Sequence, residues 1–163
     1  MAKLNMKELH KILVKCKSVN AAKQLLCGEL LGTGIYRDVY VLKQNPEYVV
    51  KIERDMSTGA FANATEWRNY INNREWTWFS CWLAPCELIT EYGNVLIQRR
   101  VRTEGKLKKD YPTHIPVLFT DTKYSNFGWI GKQFVCCDYS YLVPATLHKK
   151  KLRRARWWAN KPR

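Results

Sequence analysis

A lysine stands in the middle of an apolar run, Tyr48-Val49-Val50-Lys51-Ile52-Glu53, and this placement constrains the fold more than any other feature of the chain. The run follows a turn at Asn45-Pro46-Glu47 and reads as a strand. An ammonium group buried alone is costly, so Lys51 has to meet a counter-charge or a phosphate. The next segment offers one. Ala60 to Asn73 reads as a helix, and its Glu66 is the natural partner for Lys51. The bland reading makes Glu66 one more solvated helix carboxylate.

The segment ahead of Lys51 adds a second constraint. Glu29-Leu30-Leu31-Gly32-Thr33-Gly34-Ile35-Tyr36-Arg37-Asp38-Val39-Tyr40-Val41-Leu42 sets two glycines between two β-type runs. Glycines between a strand and a helix would point to a dinucleotide fold, and this context does not. A strand, a glycine turn and a second strand make a flap whose backbone N–H groups approach phosphates with no Cβ in the way. Earlier, residues 4–27 carry apolar positions at three- and four-residue steps. One or two amphipathic helices are expected there, with Ser18 or Asn20 as a cap, Gly28 as a stop and a packing role only. Later, Trp76, Trp78, Phe79 and Trp82 read as core and helix-end packing. Cys86–Glu91 and Asn94–Arg99 form a hairpin through Tyr92-Gly93, and Thr103 to His114 reads as a charged connection.

A second chemistry-bearing stretch follows. Asp121-Thr122-Lys123-Tyr124-Ser125-Asn126 reads as a loop with an acid, a lysine two residues on and an amide five residues on. Phe127-Gly128-Trp129-Ile130 and Gln133-Phe134-Val135-Cys136 read as a hairpin with a tight turn at Gly131. A hairpin folds Asp138 back beside Asn126. A carboxylate and an amide oxygen at one spot are hard-oxygen ligands suited to Mg²⁺, which usually arrives with phosphates attached. Lys123 supplies a point charge for a phosphoryl oxygen. Taken without the rest of the chain, these are equally well unrelated polar turn residues.

Composition sets outer bounds. A chain of 163 residues suits one domain with its own core, and 46% hydrophobic residues exclude a disordered one. No apolar run approaches membrane-spanning length, and Met-Ala-Lys-Leu-Asn begins no signal-peptide core, so a cytoplasmic protein without a membrane partner is expected. Six cysteines without Cys-x-x-Cys or paired His–Cys spacing argue for reduced thiols and against zinc. Of the net charge of +14, the last fifteen residues carry +8, from Lys149, Lys150, Lys151, Arg153, Arg154, Arg156, Lys161 and Arg163. Such a concentration is a footprint for nucleic acid or an acidic partner, or else a solvated basic helix end. Trp157 and Trp158 lie among these charges, either to stack on bases or to dock the tail on the body.

In this order the pieces resemble the protein-kinase-like superfamily, in the style of the short kinase-like proteins of tailed bacteriophages, the serine/threonine kinases of T7-like phages among them. Gly32-Thr33-Gly34-Ile35-Tyr36-Arg37-Asp38-Val39-Tyr40 resembles the Gly-rich loop, with Tyr36 as its aromatic and Val39 as its valine. Val49-Val50-Lys51 resembles the Val-Ala-Ile-Lys strand, and Glu66 falls where a helix glutamate pairs with that lysine. Val95-Leu96-Ile97 and Gln98-Arg99-Arg100 resemble the strand leading into the adenine hinge. Asp121-x-Lys123-x-x-Asn126 keeps the catalytic-loop spacing, and Asp138-Tyr139-Ser140 resembles Asp-Phe-Gly.

The resemblance spans roughly residues 29–141 and implies an α+β fold. Residues 1–148 would form one kinase-like domain: N-terminal helices over 1–28, an antiparallel five-stranded sheet with one helix over 29–102, and a strongly truncated second lobe over 103–148. A basic tail or helix would follow over 149–163. ATP and Mg²⁺ are the implied cofactors. Gly32, Gly34 and Val39 would cover the nucleotide, and Lys51, held by Glu66, would touch the α- and β-phosphates. Asp121 would orient or deprotonate the acceptor hydroxyl, and Lys123 would neutralise the transferring γ-phosphoryl. Asn126 and Asp138 would hold the metal, so that Lys51, Asn126 and Asp138 gather around one magnesium-bound triphosphate.

The chain also departs from that pattern. Arg37 replaces the third glycine, Phe119-Thr120 the His-Arg before the catalytic aspartate, and Ser140 the final glycine. Asp121 follows Arg99 by 22 positions, too few for the usual long helix pair of a large lobe, and 25 residues follow Asp138, so no Ala-Pro-Glu or peptide platform is expected. A basic helix is expected from Ala145 towards Trp158. Two functions stay open. One is an ATP- and Mg²⁺-dependent phosphotransferase acting on Ser/Thr of a host protein, in the host cytoplasm of a phage infection. The other is a catalytically weak or inactive kinase-like module that inhibits a host protein or binds nucleic acid through its basic surface.

Overall fold

Two short helices open the computed structural model, α1 (Met6–Lys15) and α2 (Val19–Leu26); the residues described are 6–15, 18–54, 60–103, 108–143 and 150–159. Ser18 caps α2, its hydroxyl accepting from the Ala21 N–H at 3.1 Å. No glycine stops this helix. Cys27 closes it and begins strand β1 (Cys27–Thr33), so Gly28 lies inside a strand rather than at the expected stop. Strands β2 (Arg37–Leu42) and β3 (Tyr48–Glu53), helix α3 (Ala62–Asn73), short helix α4 (Thr77–Ser80), and strands β4 (Cys86–Ile89) and β5 (Val95–Arg99) follow. The five strands form one antiparallel sheet in the order β1-β2-β3-β5-β4, so the fold is α+β.

The chain divides into two compact units. The first takes Met1–Trp67 and Pro85–Arg100, and the second takes Arg68–Ala84 and Val101–Arg163. The boundary between the two units falls within α3.

In the first unit the period of two along a strand sorts the side chains. Leu42, Val50, Ile52, Val95 and Ile97 pack with Leu9 and Leu13 of α1 and Ala22 and Leu26 of α2 in one apolar core. The intervening residues Arg37, Lys51, Glu53 and Gln98 belong to the opposite face, and all four are buried. Helix α3 supplies Asn63 and Glu66 to that face. Because both faces are covered, β3 is buried along nearly its whole length.

The second unit is built from short pieces. Strands β7 (Phe127–Ile130) and β8 (Gln133–Cys136) make the expected hairpin, with Ile130 opposite Gln133. Gly131 turns it at φ +60°, a conformation that favours glycine. Gly128 is needed for a different reason: a Cβ there would meet Val101 Cγ1 at 2.6 Å and the Arg102 carbonyl at 2.7 Å. Strand β6 (His114–Pro116) pairs antiparallel with β9 (Leu152–Arg154), Ile115 facing Arg153. The basic helix expected from Ala145 to Trp158 is therefore not what forms over the described part of that stretch. Residues 150–159 run as extended chain, since the backbone of 114–116 offers a strand edge and the Trp157 indole a dock. Pro144, Ala145 and Lys149 lie outside the described residues, as do Lys161 and Arg163.

Candidate active site

The first unit holds a buried polar cluster centred on Glu66. Lys51 Nζ lies 2.5 Å from Glu66 Oε1, with the lysine 3% and the glutamate 0% exposed. Glu66 is thus the partner that a lysine inside an apolar run requires. Gln98 Nε2 donates to the same oxygen at 2.8 Å. Arg37 brings a second cation: its Nη2 is 2.8 Å from Glu66 Oε2, an ion pair without hydrogen-bond alignment, while its Nη1 donates to Asn63 Oδ1 at 3.2 Å. Asn63 in turn donates to the Lys51 carbonyl at 3.0 Å. Glu53 accepts from the Asn63 N–H at 2.6 Å and so answers one of the orphan donors at the start of α3. That helix needs the help, because Phe61 ahead of it has φ +42° and a side chain that cannot cap. Two cations and two carboxylates leave the cluster electroneutral.

The flap beside this cluster is open. Gly32 pairs with Val39, Val39 pairs with Lys51, and a Cβ on Gly32 would meet nothing within 4 Å. Packing therefore does not require a glycine there. Gly34 donates from its N–H to the Arg37 carbonyl at 2.7 Å, which closes the turn tightly. Arg54 Nη1 donates to the Gly34 carbonyl at 3.2 Å.

In the second unit the Asp121 loop is held by its own side chain. Asp121 Oδ1 accepts from the Lys123 N–H at 3.1 Å, and Oδ2 accepts from Asn126 Nδ2 at 2.9 Å. Asp121 is exposed and Asn126 is 8% exposed. Fixing the amide nitrogen on Asp121 turns Asn126 Oδ1 the other way, where it accepts a long bond from the Ser125 hydroxyl at 3.4 Å. The hairpin returns the chain as expected: Cys137 N–H donates to the Asn126 carbonyl at 2.7 Å, and Asp138 follows, exposed. Tyr139 behind it is 1% exposed, and its hydroxyl donates to the Ala84 carbonyl at 2.6 Å. Asn69 donates to the Tyr139 and Ser140 carbonyls at 2.8 and 3.2 Å, and the Ser140 hydroxyl to Asp138 Oδ1 at 3.3 Å. The acid is thus an exposed tip on an anchored segment.

Lys123 has an unexpected neighbour. Its Nζ is 5.7 Å from the centre of the Trp158 ring. The tail backbone runs beside the loop, with Tyr124 N–H donating to the Trp158 carbonyl at 2.9 Å and the Thr122 hydroxyl to the Arg156 carbonyl at 2.5 Å. Trp157 docks on the body, its ring 5.0 Å from Phe127 and 5.2 Å from Tyr111, and its indole N–H donates to the Pro112 carbonyl at 3.0 Å.

Sequence reasoning missed Arg37, Gln98, Asn63 and Asn69 as members of these clusters. Arg37 and Gln98 reach the face of Lys51 through strand register, Arg37 opposite Glu53 and Gln98 opposite Val49, which alternation within a single strand does not give. An open cleft of about 460 Å³ in the second unit is lined by Cys81, Trp82, Asp110, Pro112, Gln133 and Phe134, none of them a predicted site residue. No described helix is long and apolar enough to cross a membrane. No protein-family model matches this chain, and no curated protein sequence matches it.

Proposed function

We propose that the chain is an ATP- and Mg²⁺-dependent phosphotransferase of protein-kinase-like type that modifies a Ser or Thr hydroxyl of a host protein. The observation that carries this is the Lys51–Glu66 contact, 2.5 Å long and buried beneath a five-stranded antiparallel sheet whose first two strands are joined by a glycine turn. Three things add support: the unfilled space over Gly32, the Asp121–Asn126 bond that orients an amide oxygen, and the hairpin that returns the chain to Asp138.

In this reading Gly32 and Gly34 admit the phosphates, and Lys51 balances charge on the α- and β-phosphates. Asn126 Oδ1 and the Asp138 carboxylate would hold Mg²⁺, which supplies charge neutralisation at the phosphates when bound. Asp121 orients the acceptor hydroxyl and takes its proton as the hydroxyl oxygen bonds to the γ-phosphorus. The bond from that phosphorus to the ADP oxygen breaks. Lys123 swings from the Trp158 ring to the transferring oxygens, an exchange of one weak contact for a charge-assisted one.

The test is ligand-induced stabilisation followed by labelling. ATP with Mg²⁺ at about a hundred times its Kd is expected to add about 2.7 kcal/mol, a Tm rise of roughly 5 °C or more for a chain of this size. Labelled ATP should mark the protein itself or a lysate protein, and Asp138→Ala should abolish the signal. Labelling that persists in Asp138→Ala removes the metal role assigned to it.

One observation favours a second reading, a kinase-like binding module without transfer. Arg37 already shares Glu66 with Lys51, so the buried cluster is electroneutral with no phosphate present. A flat thermal shift with ATP and Mg²⁺ would select this reading over the first.

A further inference from the structure

Exposure alternates from Leu152 to Trp158. Arg154, Arg156 and Trp158 are exposed, while Arg153, Ala155 and Trp157 are turned inward. The inward set is anchored: Arg153 Nη2 donates to the Phe119 carbonyl at 2.7 Å, the Ala155 N–H to the Thr113 carbonyl at 2.8 Å, and Trp157 lies among aromatic rings. The outward set is therefore a row on a fixed strap, with alternate residues about 6.6 Å apart. Lys150 and Lys151, also exposed, extend the charge at one end. Among the described residues no carboxylate pairs with Lys150, Lys151, Arg154 or Arg156. At the other end the Trp158 indole keeps 45% of its surface exposed although Lys123 lies beside it.

We propose that this outward face binds single-stranded nucleic acid, the cations following the phosphates and Trp158 stacking on an unpaired base. The pairing of features selects the class. Unpartnered cations alone would suit any polyanion. A flat, exposed aromatic at the end of the row suits a polymer that carries a flat ring with each charge. A duplex hides its ring faces in its own stack, and a polycarboxylate has none. The proposal does not depend on the phosphotransferase reading: the four cations have no role in that chemistry, and Trp158 enters it only as the resting contact of Lys123.

The experiment is fluorescence anisotropy of a labelled oligothymidylate about a dozen nucleotides long, titrated with the full-length protein over a range of salt. Binding should weaken with salt, and Arg154→Gln with Arg156→Gln should reduce the log–log slope by about 1.4, the release expected for two phosphates of a single strand. Trp158→Ala should weaken binding roughly tenfold or more and Trp158→Phe only a few-fold, because a phenyl ring still stacks. Circular dichroism of each variant guards against misfolding, and the Phe variant remains informative should the Ala variant fail it. Asp138→Ala should bind the oligonucleotide like the unaltered chain whatever the fate of the enzyme reading. An unchanged slope in the arginine variant would overturn the proposal. Equal affinity for a duplex or for polyglutamate at the same salt would do so too, as would an unchanged affinity in Trp158→Ala.

Discussion

Glu66 answers three side chains with one carboxylate: Lys51 and Gln98 at one oxygen, Arg37 at the other. Glu66→Gln keeps the shape and removes the charge, leaving two buried cations short of a counter-ion. The expected loss is about 3–5 kcal/mol in urea unfolding, the range for breaking a buried pair from one side. A loss below about 1 kcal/mol would mean that water reaches the cluster. Cys27 offers a pH test at the same scale. Burial pushes its thiol up to about 11, against the partly opposing charges of Lys23 and Lys43. A thiol raised above its unfolded value of 9.0 contributes stability that is fully present below pH 9 and is lost as pH rises through about 11. At pH 8 iodoacetamide should therefore label exposed Cys81 well before Cys27, read by peptide mass mapping. Of these residue-level contacts, the Lys51–Glu66 pair was legible in the sequence because a buried ammonium admits few solutions and one carboxylate lay in reach. The Arg37 contact was not, since a long side chain finds its partner through strand register.

At the scale of elements, two glycines in strands make opposite predictions. Gly128→Ala forces a methyl against Val101 Cγ1 and the Arg102 carbonyl and should destabilise the protein by about 1–3 kcal/mol, with a lower urea midpoint. Gly32→Ala meets nothing, so its unfolding midpoint should stay put. Under the phosphotransferase reading its ATP–Mg²⁺ thermal shift should nevertheless shrink, because the added Cβ lies where phosphate would approach. A full shift in Gly32→Ala would remove the flap from the nucleotide site. The hairpins of β4–β5 and β7–β8 were readable because turn residues and alternation agree over a short span. Strand β9 was not: Leu152-Arg153-Arg154 carries no apolar alternation, and its partner β6 lies almost forty residues away in the chain.

At the scale of the molecule, the tail is part of the second unit rather than an appendage. Trp157→Ala should cost about 3 kcal/mol, the low end for truncating a buried aromatic, because its ring is only partly covered. Trp158→Ala should cost about 1 kcal/mol or less, its ring being nearly half exposed and lying beside the Lys123 ammonium. Thermal unfolding of the pair checks both, and equal losses would contradict the division into anchor and platform. Deleting the tail outright would expose Tyr111 and Phe127 as well as remove charge, so truncation cannot separate binding from folding. The net charge of +14 predicts salt-sensitive association with polyanions, but which face presents the charge was not a matter of composition.

By itself the sequence determined that Lys51 would be buried with a carboxylate, that glycines would open a flap between two strands, and that a hairpin would return Asp138 towards Asn126. These are consequences of periodicity and desolvation, which act over a few residues and hardly depend on the rest of the chain. Tertiary structure alone decided that Arg37 would share Glu66 and that a basic stretch would lie down as a strand with one tryptophan in and one out. Backbone donors and acceptors are the same for every residue, so which distant edge a charged segment joins is settled by the packing around it.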